Sequence, residues 1–145
     1  MEIPGISPRT RHPFVAAKTT EKVIGAFFEV YNSLRYGFLE SVYAAALEVE
    51  FRARGIEYGR EVPLVVHYKG TAVGTFRADF VVERKVILEV KASATVGERE
   101  KGQLLHYLSA TGLEVGLLLH FGPEAKVYRV SHSGSWKTDH ADKDV

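Results

Sequence analysis

Hydrophobic positions follow different rhythms in successive parts of the chain. Residues 1–19, MEIPGISPRTRHPFVAAKT, carry Pro4, Pro8 and Pro13 and show neither a two-residue nor a 3.6-residue apolar period, so they read as a flexible N-terminal arm. Beyond them Val23, Ile24, Phe27, Phe28 and Tyr31 recur at helical spacing. With Thr20 as N-cap and Glu21 in the first turn, this predicts a helix over residues 20–34. After Tyr36-Gly37, the positions Leu39, Val42, Tyr43, Ala46, Leu47 and Phe51 define a second helix, stopped at Gly55. The period then shortens to two, or to unbroken apolar runs, over residues 61–68, 72–82 and 85–90. Lys69-Gly70 and the triplet Glu83-Arg84-Lys85 separate these runs, which predicts three antiparallel strands. A third helix is expected over residues 98–111, with Leu104, Leu105 and Leu108 apolar and Gly112 as its stop. Residues 113–119 are almost wholly apolar, as in a strand covered on both faces. A turn at Gly122-Pro123 leads to a last strand over 126–130, and residues 131–145 read as a flexible polar C-terminal tail.

The order α-α-β-β-β-α-β-β predicts an α/β fold, a mixed β-sheet flanked by α-helices, in one domain over residues 20–130. The strand-helix-strand passage from Val86 to Leu119 is expected to be a right-handed crossover between parallel strands.

Composition narrows the chemistry. The 145 residues include no cysteine, which excludes disulfide frameworks, thiolate metal sites and thiol nucleophiles. Nineteen basic and eighteen acidic side chains nearly cancel, so a polyanionic partner would have to be held by a local patch. No apolar run is long enough for a membrane span, and the start of the chain lacks the apolar core of a secretory signal, so a cytoplasmic protein is expected. The six histidines show no metal-ligand spacing, and no P-loop, dinucleotide-binding glycine pattern or nucleophile elbow is present.

Three charges stand where an ordinary apolar strand would carry none: Asp79 in RADFVV, and Glu89 and Lys91 in VILEVKA. Residues two apart on a strand share a face, so Glu89 and Lys91 point together and Leu88 and Val90 point into the other layer. If Val82 faces Val86 across the hairpin, Asp79 lies opposite Glu89 on the same face, whereas a slip of one residue separates them. Two adjacent carboxylates require a proton or a cation, and a hard divalent ion such as Mg2+ or Mn2+ suits their oxygens. Such an ion, with Lys91 beside it, suits hydrolysis of a phosphodiester. The same residues also fit cross-strand ion pairs on an exposed sheet face, with Arg77 as a partner.

Glu40 in GFLESVY has two readings as well, one of them as the N3 residue of a helix capped by Gly37. Gln103 and Tyr107 lie one turn apart on the third helix, where a solvated face would suffice to explain them. Arg77, Arg99 and Lys101 are the basic side chains expected near the carboxylates, either lining a groove for phosphates or belonging to an even scatter of surface charge.

GFLESVY resembles the signature of the GxxExxY protein family, and RADFVV followed by LEVKA resembles the core of the PD-(D/E)XK nuclease superfamily. QLLHYL, residues 103–108, is similar to the helix that follows that core, and the resemblance runs over residues 21–130 with its pieces in order. It implies a restriction-endonuclease-like core with Asp79 and Glu89 as metal ligands, Lys91 as catalytic lysine, Glu40 as a further metal-approaching carboxylate and Gln103 in support. Ala78 stands where the superfamily's name has proline. The implied function is a Mg2+- or Mn2+-dependent nuclease acting on DNA or RNA, for which a homodimer is a natural assembly. The alternatives are a non-catalytic module that holds nucleic acid or protein in the same groove, and a metal-dependent phosphatase acting on a small substrate.

Overall fold

The structure, a computed structural model, describes residues 16–131 and, as backbone, residues 135–138. The remainder of the expected N-terminal arm and C-terminal tail lies outside the described residues. In chain order the elements are α1 (Ala17–Leu34), α2 (Glu40–Ala53), β1 (Tyr58–Tyr68), β2 (Thr71–Val82), β3 (Val86–Lys91), α3 (Glu98–Thr111), β4 (Val115–Phe121), β5 (Ala125–Ser131) and β6 (Ser135–Thr138). One mixed sheet runs in the order β1-β2-β3-β4-β5-β6. β3 and β4 are parallel and every other neighbouring pair is antiparallel, so α3 is the crossover between parallel strands that the sequence predicts.

Alternation along the central strands gives the sheet two apolar faces. Leu88 and Val90 of β3, with Leu117, Leu119 and Phe121 of β4, join Val23, Phe27, Tyr43, Leu47 and Phe51 in the layer built by α1 and α2. Ile87 and Leu118 face the other way, onto Leu104 and Leu108 of α3. β4 is buried along its whole length, which is why it reads as an unbroken apolar run. The helix comes close at Gly116, where a Cβ would lie 3.0 Å from the Leu104 side chain. In the first layer Phe121 stacks on Tyr43 at 4.2 Å and meets Phe27 edge-on at 4.7 Å. Fully burying each such ring contributes about 1.5–3 kcal/mol.

Several boundaries depart from the sequence reading. Thr20 is buried inside α1, because its amide donates to Ala16 C=O at 2.8 Å and so completes the first helical turn; Ala16, without a side-chain cap, is the N-cap. α2 begins at Glu40 with Leu39 as N-cap, so the expected Gly37 cap with Glu40 at N3 is replaced by a start two residues later. β1 begins three residues before Glu61, since the Tyr58 ring packs against Phe51 and Phe80 at 5.5 and 5.9 Å. The polar tail supplies β6, whose backbone pairs with β5 from Ser131↔Ser135 to Tyr128↔Thr138. An edge strand needs only backbone partners, so no apolar period marks it. Among the described residues no helix is long and apolar enough to cross a membrane.

Candidate active site

The β2–β3 hairpin sets the geometry. Lys85 N–H donates to Val82 C=O at 3.0 Å, closing a turn in which Glu83 and Arg84 have φ of 50° and 59°. Two consecutive left-handed residues match the natural twist of a hairpin. The turn fixes the register Val82↔Val86, Val81↔Ile87 and Phe80↔Leu88, the parity that places Asp79 across from Glu89. The β2–β3 ladder ends at Phe80↔Leu88, and β2 continues toward Thr71 paired with β1.

Where the backbone ladder stops, side chains take over. Val90 N–H donates to Asp79 Oδ2 at 2.7 Å, and Asp79 N–H donates to Glu89 Oε2 at 3.3 Å. Both carboxyl groups are half-buried. Burial raises the Asp79 pKa above its ordinary value, and the Val90 amide and the Lys91 and Arg60 charges oppose that rise. Glu89 is pushed up to about 8, first by burial and then by the negative charge of Asp79, against the Asp79 amide and Lys91. Lys91 is thus electrostatically coupled to both carboxyls, and by strand alternation it shares the α3-side face with Glu89.

Glu40 approaches from the start of α2. Its Oε2 accepts from the amide of Ala92, the residue after Lys91, at 3.4 Å, and its charge adds to the rise at both Asp79 and Glu89. The side chain is exposed. Among the described residues no set of three or more His, Asp and Glu groups is gathered in a metal-holding arrangement, so the closely joined carboxyls are the pair Asp79 and Glu89.

α3 forms the opposite wall. Its Tyr107 stacks on Phe76 of β2 at 3.7 Å, and its pKa is raised by burial and then by the charges of Glu89 and Asp79. Tyr107 therefore belongs to the surroundings of the pair, although its sequence context explains it equally well as a solvated residue. Gln103 lies one turn earlier on α3 and is exposed.

The three basic candidates have different places. Arg77 is exposed on β2 and donates to Glu61 C=O at 3.3 Å. Arg99 is exposed in the first turn of α3. Lys101 is buried on the inner stripe of α3, with Leu104, Leu108 and Thr111, and its ammonium lies 4.1 Å from the centre of the Tyr128 ring. Its expected place in a phosphate groove is therefore corrected: helical spacing from Leu104 and Leu108 turns it toward β5. Arg60 was not among the leading candidates, yet its charge acts on Asp79 while its guanidinium is held by Glu48 at 2.8 Å. The signal for it is the β1–β2 register, in which Arg60 faces Phe80, the neighbour of Asp79.

No curated protein matches the chain. A solved protein described as "Crystal structure of SSO0001" is similar in fold, with a TM-score of 0.53 and 21% identity over 80% of this chain. The matched region spans 59% of that protein's length. A comparison with known families matches residues 17–130, from the first residue of α1 through β5, to one of them. That span contains both helical layers, the parted hairpin with its two carboxyls and the lysine beside them: the chain belongs to the PD-(D/E)XK nuclease superfamily.

Proposed function

We propose that the protein is a divalent-metal-dependent nuclease of the GxxExxY group, hydrolysing phosphodiester bonds of DNA or RNA. The observation that carries this reading is the pairing of Asp79 with Glu89 at the end of the β2–β3 ladder, with Lys91 on the same face.

The donor chemistry fits a hard cation. The amides occupy Oδ2 of Asp79 and Oε2 of Glu89, which leaves Oδ1 and Oε1 for an ion such as Mg2+ or Mn2+. Burial and mutual repulsion oppose full ionisation of the pair, and a bound cation removes that opposition. When bound, such an ion supplies a Lewis acid and a more acidic water. Lys91 would hold a phosphate oxygen and counter the charge that develops on it during attack. Glu40, from the adjoining helix, would accept a hydrogen bond from water entering the site, and Tyr107 and Gln103 would line the α3 side.

The test is cleavage of labelled single- and double-stranded DNA and RNA with Mg2+, Mn2+ or chelator, running Asp79→Ala and Lys91→Ala beside the unaltered chain. Cleavage that requires metal and is lost in both variants supports the reading. Unchanged cleavage in both refutes it. Tight nucleic-acid binding with no metal requirement and no cleavage would identify a non-catalytic module instead.

A further inference from the structure

The run GFLESVY places more than Glu40 beside the carboxyls. Four of the seven exposed large apolar side chains among the described residues fall within seven positions: Tyr36 (44% exposed), Phe38 (48%), Leu39 (75%) and Val42 (38%). Exposed apolar side chains are ordinary when scattered, but a contiguous group calls for a partner.

The backbone that presents them is strained and firmly held. Arg35 has φ 62° and ψ −178°, a region used almost only by glycine, and Gly37 has φ 130°. Arg35 N–H donates to Tyr31 C=O at 2.8 Å, and Arg35 C=O accepts from the Tyr43 hydroxyl. The same hydroxyl accepts from Phe38 N–H at 3.2 Å. Tyr43 is itself fully buried and stacked on Phe121, so this anchor belongs to the core. Phe38 leans edge-on against the Tyr43 ring at 6.0 Å. The exposure of this loop is thus a fixed presentation.

Position indicates the occupant. The loop runs directly into Glu40, whose carboxylate meets the amide following Lys91, so the apolar group adjoins the residue that reaches the strand carrying Glu89. A strand whose phosphate is presented to Asp79 and Glu89 carries its neighbouring bases alongside. Flat aromatic side chains such as Tyr36 and Phe38 hold bases of any identity by stacking, Leu39 and Val42 add apolar surface beside them, and the exposed Arg35 adds a cation for the backbone. In an intact duplex the base faces are covered by their neighbours, so stacking of this kind requires unpaired bases. We infer that loop 35–39 is a base-stacking platform and that the substrate is single-stranded or locally unpaired nucleic acid. This inference rests on the nuclease reading above and names its substrate class.

The test measures binding by the full chain in Ca2+, using anisotropy of a labelled 20-nucleotide single strand and of its duplex. Phe38→Ala and Tyr36→Ala, both at exposed positions and checked for fold by circular dichroism, should each weaken single-strand binding roughly tenfold while leaving duplex binding unchanged. A 2-aminopurine in the single strand should be quenched by the unaltered chain and less so by the variants; Phe38→Trp should retain binding and quenching. Equal losses on single strand and duplex, or no loss on either, would overturn the platform while leaving the nuclease reading in place. So would variants that bind normally but change from dimer to monomer in light scattering, which would assign the apolar group to contact between copies. Failure of the unaltered chain to bind any nucleic acid would overturn both.

Discussion

Glu89 makes the metal-free protein sensitive to alkali in a calculable way. Its carboxyl is pushed up to about 8 from an ordinary 4.5, so across that interval the folded chain keeps a proton that the unfolded chain has released. Stability must then fall as pH rises from about 5 to 8, because the unfolded state binds fewer protons. One pKa unit is worth about 1.4 kcal/mol, which puts the ceiling for the full interval near 5 kcal/mol. Discounting by roughly half for solvent around a half-buried group leaves about 2 kcal/mol. In a domain of this size that corresponds to roughly 5–10 °C in Tm. The assay is thermal unfolding in chelator between pH 5 and 8.5, comparing the unaltered chain with Glu89→Gln, which keeps the side-chain shape without the ionisable proton. The two should melt alike near pH 5, and Glu89→Gln should be the more stable by that margin at pH 8.5. His120 acts with opposite sign: burial lowers its pKa below 6.5, so its contribution is lost as pH falls, and it cancels between the two chains. Mg2+ should recover the alkaline loss in the unaltered chain, since an ion bound to the folded state stabilises it by linkage. Parallel pH profiles for the two chains would refute the reasoning.

Other consequences can be checked alongside. Lys91→Met should lower metal-dependent cleavage by about 10²–10³-fold with Tm nearly unchanged, as for loss of one positioned charge; a large Tm loss would instead assign Lys91 a structural role. Tyr43→Phe removes the hydroxyl that joins Arg35 C=O to Phe38 N–H and should cost about 1–2 kcal/mol in chemical unfolding, with faster hydrogen exchange at Phe38. An unaltered Phe38 amide would contradict the anchoring role. Arg84→Gly relieves a left-handed non-glycine residue and gives up only an exposed contact to Glu57 at 3.6 Å, so Tm should rise by an amount equivalent to about 0.5–1 kcal/mol. A fall in Tm would show that the turn does not carry that strain.

Much of the fold was legible because its central strands are buried on both sides. Continuous apolar runs give β3 and β4, period-3.6 stripes give the helices, and Gly112 stops α3 at φ 79°. The carboxyl pair was legible through parity, since one hairpin turn decides whether Asp79 meets Glu89. The start of α1 and the strand β6 were not, because the first rests on the Ala16 turn and the Thr19 hydroxyl on Glu83 and the second on backbone pairing, none of which leaves an apolar period. Lys101 misled for a related reason: a charged residue suggests the surface, but spacing from Leu104 and Leu108 fixes its side of the helix, and the Tyr128 ring receives its ammonium.

In the run GFLESVY three residues of different chemistry serve one structural unit. Gly37 answers a backbone demand at φ 130°, Glu40 reaches from the first residue of α2 to the strand carrying Glu89, and Tyr43 ties the loop to the core through Phe121. A glycine, a glutamate and a tyrosine at this spacing therefore do different work on one structural unit. Changing Tyr43 should loosen Glu40 without touching its charge, and changing Glu40 should leave the loop intact. The apolar residues between them are only partly used inside: Phe38 meets the Tyr43 ring along one edge and keeps nearly half its surface open, and Leu39 keeps three quarters. Their open surfaces, next in sequence to the residue that reaches the Glu89 strand, are what the Phe38→Ala and Tyr36→Ala binding measurements probe.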